Sequence, residues 1–160
     1  AVRRLSPDTT LETLIPDFKG ESFLIKKLSK IKPEIVSHNL ETVERLTKQV
    51  RIQAKYERSL MVLDILKTTG VERTKSGIML GLGETEEEII SCMKDLRQVN
   101  VDILTLGQYL QPTKNHLPVV RFVTPGEFSQ LKEIGLSLGF KYVESGPLVR
   151  SSYHAEKHLI

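Results

Sequence analysis

The stretch TKSGIMLGLGETEEEIISCMKDLRQVNVDILTL, residues 74–106, decides the fold. Thr74–Leu80 is a short β-prone run that ends in a glycine-rich turn. Helix Glu86–Gln98 follows, with Thr85 and Glu88 at the spacing of a capping box. Ile89, Cys92, Met93 and Leu96 fall on one helical face, and Asp102–Leu106 is again a strand. Strand, helix, strand over this length is a βαβ unit, whose two strands run parallel.

The same alternation extends both ways. Strands are expected at Thr10–Ile15, Glu34–Ser37 and Phe140–Glu144. Helices are expected at Ser22–Lys30, with Phe23, Leu24 and Leu28 inward, around Glu41–Val50, and at Tyr56–Thr69, with Leu60, Leu63 and Leu66 inward and a stop at Gly70. Thr124 as N-cap, Pro125 at N1 and Glu127 at N3 start another, carrying Phe128, Leu131, Ile134 and Leu138 and ending at Gly139. Near-continuous apolar strands alternating with helices imply an α/β protein with a parallel sheet. Five such strands fit a piece of a (β/α) barrel or a doubly wound sheet, and both bind ligands beyond the carboxyl ends of the strands.

Composition sets bounds. The chain of 160 residues holds one domain with a core, and 39% hydrophobic with 27% charged residues is ordinary for a soluble protein. No apolar run approaches the roughly 20 residues of a membrane span, and nothing suggests an export signal. The net charge of +3 is dispersed without basic blocks, so no nucleic-acid or membrane partner is indicated. One cysteine excludes an internal disulfide and an all-cysteine metal site, and fits a reducing compartment. A start without Met, close to a core strand, is what a segment of a larger protein looks like.

The strand ends carry the polar and glycine-rich segments. Gly81–Glu84 (GLGE) opens a helix, where backbone N–H groups welcome negative charge, yet Glu84 disfavours an anion. A zwitterionic or cationic ligand fits better, and a bare βα turn is the alternative. Ser37–Thr42 (SHNLET) offers an imidazole, an amide and a carboxylate; alternatively Asn39 caps a helix and His38 is surface. The connection Gly107–Val123 far exceeds the usual length of about 4–6 residues, as functional loops do. Cys92 on an apolar stripe reads as a buried structural thiol.

Five blocks in order, IPDFKG, SHNLETVERL, TKSGIMLGLGETEEEI, LTLGQYLQPTKNHLPVVRFVTPGEF and SGPLVRSSYHAEKH, resemble the lipoyl synthase family over essentially the whole chain. Arg51-Ile52 departs from that family's usual Arg-Pro, which touches only a helix boundary. The resemblance implies a radical S-adenosylmethionine (SAM) enzyme on a partial TIM-type (β/α) barrel, incomplete in this chain. Residues 1–146 would be the barrel part and 147–160 a tail bearing Arg-Ser-Ser-Tyr-His.

It further implies insertion of two sulfurs, at C6 and C8, into a protein-bound octanoyl-lysine. The cofactors would be SAM and two 4Fe–4S clusters, held by CxxxCxxC and CxxxxCxxxxxC motifs. Neither motif is present, so the cysteines would lie upstream and this chain alone would be inactive. A non-catalytic module that binds SAM or the carrier protein is the alternative. Implied partners are octanoylated lipoyl-carrier domains (the glycine-cleavage H protein and 2-oxoacid dehydrogenase acyltransferases) and a donor such as ferredoxin or flavodoxin. The location would be cytoplasmic, or mitochondrial or plastid in a eukaryote.

Carried over by residue, Gly77, Met79, Gly81 and Glu84 would lie against SAM, Asn39 and Glu41 would contact its ribose or amino-acid part, and Gln108, Tyr109 and Leu110 would frame adenine. Lys75, His116 and Arg121 would belong to the active site without assigned roles. Ser152, with Ser151 as runner-up, would ligate the auxiliary cluster beside Arg150. A readily displaced hydroxyl ligand suits a cluster that is consumed. Without that cluster the tail beyond Pro147 is expected to be disordered, and Thr10–Ile15 to be an exposed edge strand.

Overall fold

The computed structural model describes residues 2–159. A short helix α1 (Val2–Leu5) precedes strand β1 (Glu12–Leu14), helix α2 (Ser22–Ser29) and strand β2 (Ile35–Ser37). A 3-10 turn at Glu44–Leu46 runs into the short α3 (Thr47–Val50), followed by α4 (Tyr56–Thr68), β3 (Arg73–Leu80), α5 (Glu86–Gln98), β4 (Ile103–Gln108), α6 (Pro125–Ser137) and β5 (Tyr142–Gly146). A last 3-10 segment spans Ala155–Leu159.

All four ladders are parallel, and the sheet order is β1-β2-β3-β4-β5. This order settles the alternative left open by the strand-helix alternation, in favour of the partial barrel that the resemblance implies. A doubly wound sheet reverses its strand order at a switch point, which sends helices to both faces. Here the order never reverses, and right-handed crossovers then place every helix on the same side. The sheet is an open arc of a (β/α) barrel, with helices outside and a concave lumen inside.

Its two faces differ in chemistry. Val36, Ile78, Leu80, Leu104, Leu106 and Val143 belong to the apolar core shared with Ile25, Val62, Leu63, Leu66, Ile89, Met93, Leu96, Phe128 and Leu131 of the helices. The lumen face instead carries rows fixed by register: Ser37, Lys75, Ile103 and Tyr142; then Gly77, Thr105 and Glu144; then Met79, Gly107 and Gly146. A closed TIM barrel fills its interior with branched apolar side chains. Charged and missing side chains here leave room for something else.

The helices that carry capping boxes begin where their sequences indicate. Thr85 with Glu88 and Thr124 with Glu127 form both reciprocal bonds. Two other expectations need correction. Phe23 and Leu24 of α2 are 71% and 37% exposed, while Ile25 and Ser29 are buried against the neighbouring helix layer. No helix spans residues 41–50: Glu41 takes φ +68° and forms a parallel bridge to Ile78, so the chain extends the β2 ladder before it coils.

The tail is also ordered, contrary to expectation. Val149 is buried, and the final turn buries His158 completely in the lumen. β1 is an edge strand, as expected, and Leu14 on it is 61% exposed. Among the described residues, no helix is long and apolar enough to cross a membrane.

Candidate functional site

A cavity of about 240 Å³ opens at the carboxyl ends of the strands. Asn39 and Glu41 contribute from beyond β2, Gly77 and Met79 from β3, and Thr105, Gly107, Gln108 and Leu110 from β4 and its extension. Val149, Arg150 and Ser151 of the tail form the remaining wall.

The Asn39–Glu41 turn is held in place from behind. Glu41 N donates to Gly77 O (2.9 Å) and Met79 N to Glu41 O (2.8 Å). Arg51 Nη1 donates to the carbonyls of Asn39 (2.9 Å) and Leu40 (3.3 Å) and to Ser59 Oγ (3.3 Å). Leu40 N donates to Ser76 Oγ at 3.2 Å. On the cavity side, Asn39 Nδ2 donates to Glu41 Oε1 at 3.1 Å, and Asn39 Oδ1 is buried without a hydrogen-bond partner. A buried amide oxygen left unpaired costs about 1–3 kcal/mol, so it marks a place where a donor is wanted.

His38 is not at the surface. It is 1% exposed, with Nδ1 3.0 Å from Ile15 O and Nε2 3.0 Å from Ser59 Oγ. A carbonyl can only accept, so Nδ1 carries the proton and Nε2 accepts from Ser59. Burial pushes this imidazole below its ordinary value, opposed by the bond to Ile15. His158 is shifted the same way, by burial and then by the Lys75 ammonium. Below the free imidazole value of about 6.5, the unfolded chain therefore binds more protons than the folded one. Stability from both groups is complete above that pH and is lost as pH falls below it. The urea midpoint is expected to fall between about pH 7.5 and about pH 5.5, and Gln at both positions to flatten that dependence. An unchanged slope in the double variant would assign the acid sensitivity elsewhere.

Other sequence-selected residues occupy different places. Glu84 is 5% exposed and turns into its own loop, where Oε1 accepts from Gly81 N (2.6 Å) and Oε2 from Leu82 N (2.9 Å). Its carboxylate supports the turn and does not line the cavity. Gly81 has φ +101°, and a Cβ there would lie 2.4 Å from Arg121 O, so it too serves loop packing. Gln108 lines the cavity but spends its amide on the long loop: Oε1 accepts from Val123 N (2.8 Å), and Nε2 donates to Tyr109 O (3.0 Å) and Arg121 O (3.1 Å). Tyr109 is 7% exposed beneath that loop, its hydroxyl donating to Leu117 O.

His116 bonds to Thr113, and the Arg121 side chain to Glu127; both are exposed and neither lines the cavity. Lys75 lies deeper in the lumen, 0% exposed, with Nζ 3.0 Å from Glu12 Oε1. Ser151 lines the cavity, whereas Ser152 is exposed. Cys92 is buried under α5 with its thiol pushed up to about 12, by burial first, as fits a structural role.

Sequence reasoning missed Thr105, Gly107, Arg51 and Val149. The first two carried a signal, because register with Gly77 and Met79 puts them on the same face. The other two depend on tertiary placement and left none.

The solved structures show the same fold. HydG, a maturase of the FeFe-hydrogenase, matches with TM-score 0.60 at 17% identity over 92% of this chain and 40% of its own. Hydroxymethylglutaryl-CoA lyase from Pseudomonas aeruginosa matches with TM-score 0.55 at 20% identity over 83% and 42%. Among curated relatives, the lipoyl synthase of Flavobacterium psychrophilum is 62% identical over 160 residues, 100% of this chain and 55% of that protein. The mitochondrial lipoyl synthase of Nematostella vectensis is 62% identical over 159 residues, 99% and 55%. The chain thus spans about half the length of these relatives. Residues 3–96 match the radical SAM superfamily, and the chain, with lipoyl synthases as its close relatives, belongs to that superfamily.

Proposed function

We propose that this chain is the carboxy-terminal part of a lipoyl synthase and that its cavity binds SAM. The observation that carries the reading is the pair at the β2 end: a buried Asn39 Oδ1 without a partner beside the Glu41 carboxylate, facing glycines at 77 and 107. SAM brings an ammonium and ribose hydroxyls that donate to acceptors, and a sulfonium whose positive charge suits a carboxylate. The residues present therefore fit this cofactor.

When bound, SAM would supply, on receiving one electron from an iron–sulfur cluster held by residues outside this chain, the radical that abstracts hydrogen from the substrate. The chain's own part is binding and orientation. Glu41 accepts from a cation, Asn39 Oδ1 from a hydroxyl or amine, and Gly77 leaves the β3 surface bare enough for close approach. Arg51 keeps the Asn39–Leu40 carbonyls in place, so the acceptors are pre-ordered before the ligand arrives. The Val149–Ser151 wall narrows access from solvent.

The residues present do not fit an iron–sulfur cluster. Among the described residues no group of three or more His, Cys, Asp or Glu could hold a metal, and Cys92 is buried away from the cavity. Two clusters held by upstream cysteines, with Ser152 or Ser151 as a single ligand from this chain, complete the proposal. So do octanoylated carrier domains as substrates, a ferredoxin or flavodoxin as donor, and inactivity of the 160 residues alone.

Calorimetric titration of the full-length protein with SAM tests the site. Asn39→Ala and Glu41→Gln are each expected to weaken SAM by about tenfold or more, roughly 1.4 kcal/mol. Unaltered affinity in both variants would remove the assignment. Lipoylation of an octanoylated H protein by the reconstituted full-length enzyme, and none by residues 1–160, distinguishes the enzyme from a binding module.

A further inference from the structure

The far end of the lumen is closed by a buried imidazole. His158 is 0% exposed, with Nδ1 3.5 Å from Lys75 Nζ and Nε2 3.8 Å from Glu144 Oε1. An ammonium only donates, so Nδ1 is the acceptor and the proton resides on Nε2, which is buried without a hydrogen-bond partner and has the Glu144 carboxylate as its nearest charge. The Tyr142 ring packs at 5.5 Å between centroids. Lys75 is itself fixed by Glu12, and Glu12 accepts from Ser37 Oγ at 2.8 Å. Side chains of β3 and β5 thus meet one residue of the tail directly, and β1 and β2 support it through Lys75.

The tail is pinned a second time at its other end. Val149 is 5% exposed, and its carbonyl lies over Gly107, where a Cβ would come within 2.3 Å of it. Between the two anchors the chain turns on itself. Tyr153 N donates to Arg150 O (2.9 Å), Ala155 N to Ser152 O (3.3 Å) and Lys157 N to His154 O (3.0 Å), while the Tyr153 and His154 rings meet edge to face. These successive turns make the span from Arg150 to His158 short and stiff. Arg150 and Ser151, which wall the cavity, lie within it.

We propose that His158 is a positioning residue: seated among Lys75, Glu144 and Tyr142, it anchors the end of the chain in the lumen and so holds Arg150, Ser151 and Ser152 at the mouth of the cavity. It touches no ligand itself. Lys75 and Glu12 serve the same purpose by presenting the donor that the imidazole accepts. The anchoring concerns this chain alone, while its consequence for the ligand rests on the reading of the cavity as the SAM site.

Hydrogen exchange by mass spectrometry on the full-length protein tests it, with peptides covering 148–157 compared with peptides of α6. In His158→Leu the tail peptides are expected to exchange about tenfold faster or more, with α6 unchanged. His158→Gln, which keeps a donor and an acceptor, is expected to restore most of the protection. Should His158→Leu fail to fold, the double replacement Glu12→Leu with Lys75→Met removes the imidazole's donor without stranding a charge and is read the same way. Unchanged tail exchange, acceleration of tail and α6 together, or equal behaviour of the Leu and Gln variants would overturn the proposal. SAM titration of the same variants separates the two readings. A loosened tail with weaker SAM supports both, and a loosened tail with wild-type SAM affinity keeps the anchor and removes the tail from the SAM site.

Discussion

Glu12→Leu is expected to lower the unfolding free energy by about 3–5 kcal/mol, the cost of leaving a buried charge without its partner. Lys75 is completely buried, and Glu12 Oε1 lies 3.0 Å from its ammonium. His158 at 3.5 Å offers a lone pair but no charge, and Glu144 faces the imidazole. Among the described residues, no other carboxylate lies within ion-pair distance of the Lys75 ammonium. Lys75→Met should cost less, because the Glu12 side chain is 23% exposed and retains the donor Ser37 Oγ. The double variant should then lose less than the sum of the singles, by about 0.5–3 kcal/mol. Urea unfolding of the four proteins measures this, and additivity within about 0.5 kcal/mol would mean that the two charges do not depend on each other.

That ion pair also shows where sequence reading stops. The element pattern was legible because it depends on neighbours in the chain. Thr85 with Glu88 and Thr124 with Glu127 place the starts of α5 and α6, and both capping boxes form. Strand-helix alternation gave the parallel α/β arrangement, the family resemblance implied the barrel over a doubly wound sheet, and the observed strand order bears the barrel arc out.

Chemistry that joins distant positions was not legible. Lys75 and His158 are 83 residues apart, and His38 meets Ser59 across 21. The family resemblance put Lys75 in the active site without a role and His158 carried no reading at all; their pairing exists only once the lumen is assembled. Glu84 shows another limit: its spacing from Gly81 allowed either a ligand contact or a turn support, and in the structure its carboxylate accepts from two backbone N–H groups of its own loop. Helix α2 is apolar on more than one side, and the expected stripe of Phe23, Leu24 and Leu28 gave way to one centred on Ile25 and Ser29. Around the candidate site, the rim was legible as a set of polar strand ends. Which of them face the cavity was decided by register and by the tail that crosses them.

Gly107→Ala puts the tail wall to the test directly. Gly107 sits in β4, paired with Gly146 of β5, so its backbone is extended and alanine meets no torsional penalty. The obstacle is space. A Cβ at this position would lie 2.3 Å from the Val149 carbonyl oxygen and 3.3 Å from Arg150 Nη1. Carbonyl oxygen is backbone and cannot rotate away, so the tail must lift from the sheet, taking Arg150 and Ser151 with it. At Gly77 the same addition meets Thr105 Oγ1 at 2.5 Å and Asn39 Oδ1 at 3.3 Å, both side-chain atoms that can turn aside. Gly126 in α6 is open, with only Thr124 Oγ1 at 3.9 Å, and Gly126→Ala should be neutral or stabilising by about 0.4–1 kcal/mol. Gly107→Ala is therefore expected to weaken SAM by about tenfold or more, through a displaced wall, while Gly126→Ala leaves it unchanged. Protease cleavage within residues 148–157 should rise in the first variant only. Wild-type SAM affinity together with wild-type protection of the tail in Gly107→Ala would mean that the tail does not rest on β4 when the cavity is filled.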